Sequence, residues 1–202
     1  MSLPVPSQPE GPFMRLAGQR VELVASAFVE PAAVADYYRR NAAHFSRWDP
    51  PSPPGFASAA VQAERLQMAA VAFGMGTGFR YWLVEPHAPQ RVVGSVHFSN
   101  VARGPFQSAS LGYSVDQSLE GRGVMAEALA RGIEEMFSPR GRLHRIEAGI
   151  RPENERSLAL IRRMGFTQIG LAPQYLMIDG QWRDHLLWQR VNADWQPPEA
   201  QA

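Results

Sequence analysis

The sequence predicts an α/β fold, a mixed and mostly antiparallel sheet of about seven strands flanked by four helices. Three observations carry that expectation. The order of patterned segments is strand, two helices, three strands, helix, strand, helix, hairpin. Aromatic and β-branched runs separated by Pro, Gly and polar clusters fill the middle of the chain. One connection, from the run ending at Val115 through a helix to the run starting at Arg145, is a parallel crossover. Gln19 to Val24 alternates polar and apolar side chains, the period of a half-buried strand. Pro31 to Phe45 reads as a helix, with Pro31 in its first turn and Val34, Tyr37, Tyr38 and Phe45 at helical spacing. Pro50, Pro51, Pro53 and Pro54 make Trp48 to Gly55 a rigid loop. Ser58 opens a second helix, whose dry face holds Val61, Leu66, Ala69 and Phe73. Phe79 to Glu85, Val92 to Asn100 and Ser108 to Val115 then read as antiparallel strands.

Gly123 to Phe137 is a third helix, stopped by Ser138 and Pro139, and Arg145 to Arg151 is the strand after it. Asn154 opens a fourth helix that Gly165 closes. Thr167 to Ile178 and Gln181 to Val191 form a hairpin turned at Asp179 and Gly180. Residues 19–193 are therefore expected to form one domain, preceded by a flexible lead (1–18) and followed by a loose tail (194–202).

Composition narrows the function. With 45% hydrophobic and 19% charged residues over 202 positions, the chain can bury one substantial core. A net charge of +1 without a basic stripe argues against a direct nucleic-acid partner. Cysteine is absent, which removes disulfides, thiolate zinc sites and a thiol nucleophile, and fits a reducing cytoplasm. His44, His87, His97, His144 and His185 show no ligand spacing, so no metal is expected. The proline-rich start does not read as a signal peptide, and the apolar stretch Leu66 to Phe79 is broken by glycines and too short to span a bilayer, so no membrane partner is expected. The oligomeric expectation is a monomer or weak dimer.

Ligands of α/β sheets collect beyond the carboxyl ends of parallel strands, where the next helix presents its N-terminus. Here that place holds Gly121, Arg122, Gly123, Val124, Met125 and Ala126. Two glycines flanking an arginine let successive backbone N–H groups converge on an anion, so the segment is expected to cradle a pyrophosphate. Gly121, Gly123 and Ala126 also satisfy the GxGxxA spacing of a dinucleotide fold. The glycines come late, however, follow antiparallel strands, and are separated from Val115 by Asp116 to Glu120.

At these residues the chain resembles the GNAT superfamily of acetyl-coenzyme A-dependent acetyltransferases. Glu120, Gly123 and Met125 fall on its Q/RxxGxG/A signature. Asn154, Ser157, Leu160, Gly165 and Phe166 match its NxxSxxL followed by GF. More narrowly, LGYSV (Leu111 to Val115), FSNVARG (Phe98 to Gly104) and YLMIDGQWRDH (Tyr175 to His185) resemble the RimJ-type ribosomal-protein-alanine N-acetyltransferases, with similarity from about Arg20 to Trp195. Two positions depart from the superfamily pattern. Glu120 replaces Gln or Arg, so its side chain is expected to turn away and leave the backbone to bind phosphate. Ile161 stands where many members carry a tyrosine that protonates the leaving thiolate.

The resemblance implies transfer of acetyl from acetyl-CoA to the N-terminal amine of a protein, a ribosomal one for example, by direct attack in a ternary complex. It further implies that the strand through Leu111, Tyr113, Ser114 and Val115 parts from its parallel neighbour to admit the pantetheine arm, with a backbone N–H near Tyr113 or Ser114 as oxyanion donor. Asn154 would hold that arm, Ser157 would protonate the thiolate, Arg163 would meet a coenzyme phosphate, and Glu147 is the candidate base acting through water. Trp48, Asn100, Arg103 and Tyr175 are the acceptor-site candidates. Each has a plainer reading: Asn154 as an ordinary cap, Glu147 as a solvated strand residue, Tyr113 as strand packing. Chemistry favours the α-amine. With a pKa near 8 it costs about 1 kcal/mol to deprotonate at pH 7, whereas a lysine near 10.4 costs roughly 4.6. Two rivals remain on sequence grounds: acetylation of a small amine such as an antibiotic, and a CoA-binding regulatory protein without turnover.

Overall fold

A computed structural model describes residues 12–197. Its strands are β1 (Arg15–Leu16), β2 (Glu22–Ala25), β3 (Phe79–Glu85), β4 (Ala88–Ala102), β5 (Ser108–Val115), β6 (Arg145–Ile150), β7 (Thr167–Ile178) and β8 (Gln181–Val191). They form one eight-stranded sheet in the order β1-β2-β3-β4-β5-β6-β8-β7. Every pairing is antiparallel except β5 with β6. The helices are α1 (Pro31–Arg40), α2 (Ala42–Phe45), α3 (Ala59–Gly74), α4 (Val124–Phe137) and α5 (Glu155–Arg163). The mixed sheet and its helices follow the sequence expectation. The first helix is divided at Asn41, whose side chain donates to the carbonyl of Tyr37 and accepts from the Gln117 amide at 3.0 Å. Ser58 and Asn154 cap their helices through their side-chain oxygens. Asp179 and Gly180 both take positive φ, 52° and 69°, as a type I′ turn requires.

Two core clusters sandwich the sheet. On one face Val96, Phe98, Leu111 and Ile146 pack under Ala128, Leu129, Ile133 and Met136 of α4 and Leu158 and Ile161 of α5. On the other, Val24, Trp82, Val84 and Val92 pack with Val34 and Tyr37 of α1 and Leu66 of α3. The missing tyrosine position, Ile161, is fully buried and belongs to the core.

Residues 1–11 and 198–202 lie outside the described residues, but Arg15–Leu16 adds an eighth strand at the sheet edge. Around it the Phe13 amide donates to Glu135 at 2.8 Å, the Phe13 carbonyl accepts from the Tyr81 hydroxyl at 2.8 Å, and the Arg140 guanidinium lies 3.8 Å from the Phe13 ring centre. A two-residue strand has no alternation to read; its order comes from the free edge of β2. At the other end the Trp195 indole donates to the Arg142 carbonyl at 3.2 Å.

Asp116, just past β5, ties α1 to the start of the crossover. Its carboxylate accepts from Arg40 Nε at 2.7 Å and from the Ser118 amide and hydroxyl at 3.0 and 2.7 Å. Burial pushes its pKa up, but the bonds from Arg40 and Ser118 outweigh it and leave the carboxyl at about 2. Because the folded value lies below the unfolded one, its stabilisation is complete above about pH 4 and is lost as the pH falls through about 2. Asp116→Asn is expected to lower stability by about 2 kcal/mol at pH 6. The deficit should shrink between pH 4 and pH 2 in thermal melts; a constant deficit would contradict this assignment.

Candidate active site

The crossover builds the site. β5 and β6 are paired only at Ser108–Arg145, Ala109–Ile146 and Ser110–Glu147. Beyond that rung β5 stays bonded to β4 as far as Val115, and β6 stays bonded to β8 as far as Ile150. Each strand keeps one partner, so a wedge opens between their free edges, with unpaired main-chain groups along its sides.

At the wide end of the wedge is the N-terminus of α4. Gly121 and Gly123 hold φ of 72° and 76°, a left-handed region that side-chain-bearing residues avoid. Gly123 is the N-cap, no side chain caps the helix, and the Glu127 amide makes the first bond back to the Gly123 carbonyl. The amides of Val124, Met125 and Ala126 therefore lack helical acceptors. The side chains of Val124 and Met125 are buried in the core, which fixes the direction of those amides. A Cβ on Gly121 would meet nothing within 4 Å, and one on Gly123 only Arg20 Nε at 3.9 Å, so the approach is open. Glu120 turns aside as expected: it pairs with Arg156 of α5 and with His44 Nε2 at 3.3 Å. The residues present thus fit a pyrophosphate-bearing ligand, the donors being main-chain groups and the positive helix end.

On the opposite face of the sheet lies a cleft of about 910 Å³. Its floor is Arg80, His97, Gly112 and Ser114; its walls are the Trp48–Phe56 loop, Ala148 to Arg151, the start of α5 and the β7–β8 hairpin. Asn154 and Ser157 reach into it, as do Leu111 and Tyr113 through the wedge. Asn154 Oδ1 accepts from the Ser157 amide at 3.1 Å. The hydroxyls of Tyr113 and Ser157 are 2.5 Å apart, spanning from β5 to α5. Burial pushes the Tyr113 phenol up to about 12, against the lowering effect of the Ser157 bond, so it is a neutral donor at physiological pH. The Ser114 hydroxyl accepts from Tyr37 at 2.9 Å and lies 3.2 Å from Ser95 Oγ.

Several candidates stand apart from this cleft. Glu147 sits at the last rung before the wedge and pairs with Arg145 at 3.4 Å, but does not line the cleft. Asn100, near the end of β4, and Arg103, just past it, lie beside the start of β5. Asn100 donates to Ser110 Oγ at 3.3 Å and Arg103 to the Gly141 carbonyl at 2.9 Å, so both side chains brace the sheet end. Arg163 is exposed in the last turn of α5 and Arg122 is exposed beside the glycines. Tyr175 stands near the cleft, its ring 5.3 Å from that of His185.

The cleft also holds residues that periodicity did not single out. Burial and the Arg80 charge pull the His97 imidazole down to about 3, leaving it neutral, and its buried Nδ1 has no hydrogen-bond partner among the described residues. Gly112 is the available signal: a glycine mid-strand marks a close approach, and a Cβ there would run into the His97 ring.

A wedge between parallel strands, bare amides at its mouth and a cleft behind it define an acyl-coenzyme A transferase site. Residues 26–167 match the acetyltransferase (GNAT) domain model. Over 164 residues the chain is 38% identical to ribosomal protein uS5-alanine N-acetyltransferase of Escherichia coli (strain K12), covering 81% of this chain and 84% of that protein. The structure of ribosomal-protein-S5-alanine acetyltransferase from Vibrio fischeri superposes with a TM-score of 0.84 at 31% identity, covering 91% of this chain and 99% of that one. RimJ of Mycobacterium smegmatis, solved in complex with CoA-disulfide, gives 0.79 at 30% identity over 94% and 90% of the two chains. The chain belongs to the GNAT acetyltransferase family. It is an acetyltransferase, and its acetyl donor is acetyl-CoA.

Among the described residues, no cluster of His, Asp or Glu is arranged to hold a metal, and no helix is long and apolar enough to cross a membrane.

Proposed function

We propose that this chain transfers acetyl from acetyl-CoA to the α-amine at the N-terminus of a protein, a ribosomal protein in the cytoplasm, by direct attack in a ternary complex. The observation that carries this reading is the wedge: it joins the helix N-terminus on one face of the sheet to the open, aromatic-walled cleft on the other. The relatives named for acetylating a ribosomal-protein alanine supply the acceptor class.

Acetyl-CoA brings the acyl group already activated as a thioester. The chain's residues then have four tasks. The amides of Gly123 to Ala126 and the α4 dipole hold the pyrophosphate, with Gly121 and Arg122 completing the turn. The free edge of β5, from Leu111 to Val115, pairs with the pantetheine amides, and a backbone N–H near Tyr113 or Ser114 polarises the acyl oxygen. Asn154 spends Oδ1 on its cap, leaving Nδ2 for the ligand. Ser157 donates its proton to the departing sulfur and recovers one from Tyr113 across the 2.5 Å contact, and Tyr113 is reprotonated from solvent, which takes up the proton the acceptor amine releases; this supplies the donor that Ile161 lacks. No strong base is required, since an α-amine gives up its proton at a cost of about 1 kcal/mol at pH 7. Trp48 lines the cleft as part of the acceptor wall.

Thiol release measured with acetyl-CoA and short peptides tests the proposal. Peptides with a free N-terminus are expected to support release and the same peptides with a blocked N-terminus are not. Release with small amines alone would replace this reading with the small-molecule one, and cofactor binding without any acceptor-dependent release would replace it with a binding protein.

A further inference from the structure

Within the acceptor cleft, Arg65 and Arg80 carry positive charge that no carboxylate within ion-pair distance neutralises. Neither side chain makes a hydrogen bond or ion pair among the described residues; each is held instead by an aromatic face, Arg65 at 4.8 Å from the Phe56 ring centre and Arg80 at 5.7 Å from that of Trp82. Burial lowers the Arg80 pKa, and the neighbouring Arg65 charge lowers it further, opposed by Tyr38, Tyr37 and Asp49. Both stay protonated, because a guanidinium does not lose its proton in a protein. Asp49 is the acidic group facing Arg80; burial raises its pKa against the lowering effect of His44 and Arg80, and its carboxylate lies beyond ion-pair distance of either arginine. Two like charges fixed side by side without a partner are costly until an anion arrives between them. Both arginines also line a side pocket of about 190 Å³ that opens beside the cleft with Tyr38, Met68 and Trp82, a space of side-chain size.

The sheet register says what anion would reach them. Arg80 pairs with His97 and His97 with Gly112, so the three lie in one row across β3, β4 and β5. Two strand spacings of about 4.8 Å put the Arg80 backbone roughly 10 Å from the β5 edge where the amine must meet the thioester. An extended peptide advances about 3.3 Å per residue, so its third residue falls over the arginines. The coenzyme's phosphates do not compete for this place, since the α4 N-terminus serves the opposite face of the sheet.

We infer that Arg65 and Arg80 form an anion subsite of the acceptor cleft that selects protein N-termini carrying an acidic side chain near the third residue. The inference rests on the proposed N-terminal acetylation and names its substrate class more narrowly. Planar guanidinium forks stacked on rings suit a carboxylate, which takes two parallel hydrogen bonds from such a donor.

The test is a set of three peptides identical except for Glu, Gln or Lys at the third position, assayed by thiol release with the intact enzyme. The Glu peptide is expected to have a kcat/KM about tenfold above the Gln peptide, mainly through KM, with the advantage falling as salt rises. In Arg80→Gln the Glu-to-Gln ratio should fall towards one. Arg65→Glu changes an exposed side chain, so it tests the subsite without endangering the fold; there the order should shift towards the Lys peptide. Equal rates for all three peptides in the wild type, or a Glu preference unchanged in both variants, would overturn the subsite while leaving N-terminal acetylation standing. Failure to acetylate any of the peptides would instead overturn the N-terminal reading and the subsite with it.

Discussion

Replacing Gly123 by valine is expected to raise the dissociation constant for CoA by about ten- to a hundredfold while lowering the stability of the domain by only about 1–2 kcal/mol. Two effects combine. Gly123 holds φ of 76°, and forcing a β-branched residue into the left-handed region costs about 1–2 kcal/mol. The new side chain also occupies the open approach to the Val124 to Ala126 amides, removing a charge-assisted hydrogen bond of about 1.5–3 kcal/mol. In the free protein a Cβ would find only Arg20 Nε at 3.9 Å, so the strain lowers stability while the loss of affinity comes from blocked access, not from a clash with the fold. Calorimetric titration with CoA reads the effect directly. Unchanged affinity would place the pyrophosphate somewhere other than this turn.

Ser157→Ala is expected to lower kcat about a hundredfold with little change in the KM for the peptide, since a positioned proton donor acts on the transition state and not on acceptor binding. The cap from Asn154 uses the Ser157 amide, which alanine retains, so the helix should keep its start. Tyr113→Phe removes the partner at 2.5 Å and should reduce kcat less, because Ser157 still carries a proton. In all three enzymes the rate should rise with pH as the acceptor α-amine deprotonates near 8. Tyr113, pushed up to about 12 by burial, adds no second limb in the working range. If alanine at position 157 cost KM and not kcat, Ser157 would be a cofactor contact only.

Much of this site is legible in the sequence because its chemistry is main-chain chemistry. Gly121 and Gly123 mark the left-handed turn, and Asn154 with Gly165 brackets α5. The parallel crossover follows from element order alone, and the wedge lies at that crossover. What the sequence hides is register. Arg80, His97 and Gly112 are separated by up to thirty-two positions, and only strand pairing puts them in one row. Register likewise places Asn100 and Arg103, acceptor candidates by resemblance, beside the start of β5 and outside the lining of the cleft, which their segment alone does not show. Arg15–Leu16 escapes because two residues have no period, and its order depends on Glu135, Tyr81 and Arg140, each far away along the chain.

The most direct measurement is to locate the acetyl group after reaction. A peptide carrying both a free α-amine and a lysine is incubated with the enzyme and acetyl-CoA, and the product is fragmented in a mass spectrometer. Acetyl on the N-terminal fragment ions alone is the expected result. Acetyl on the lysine side chain, or an unmodified peptide despite bound coenzyme, would contradict N-terminal transfer by this protein.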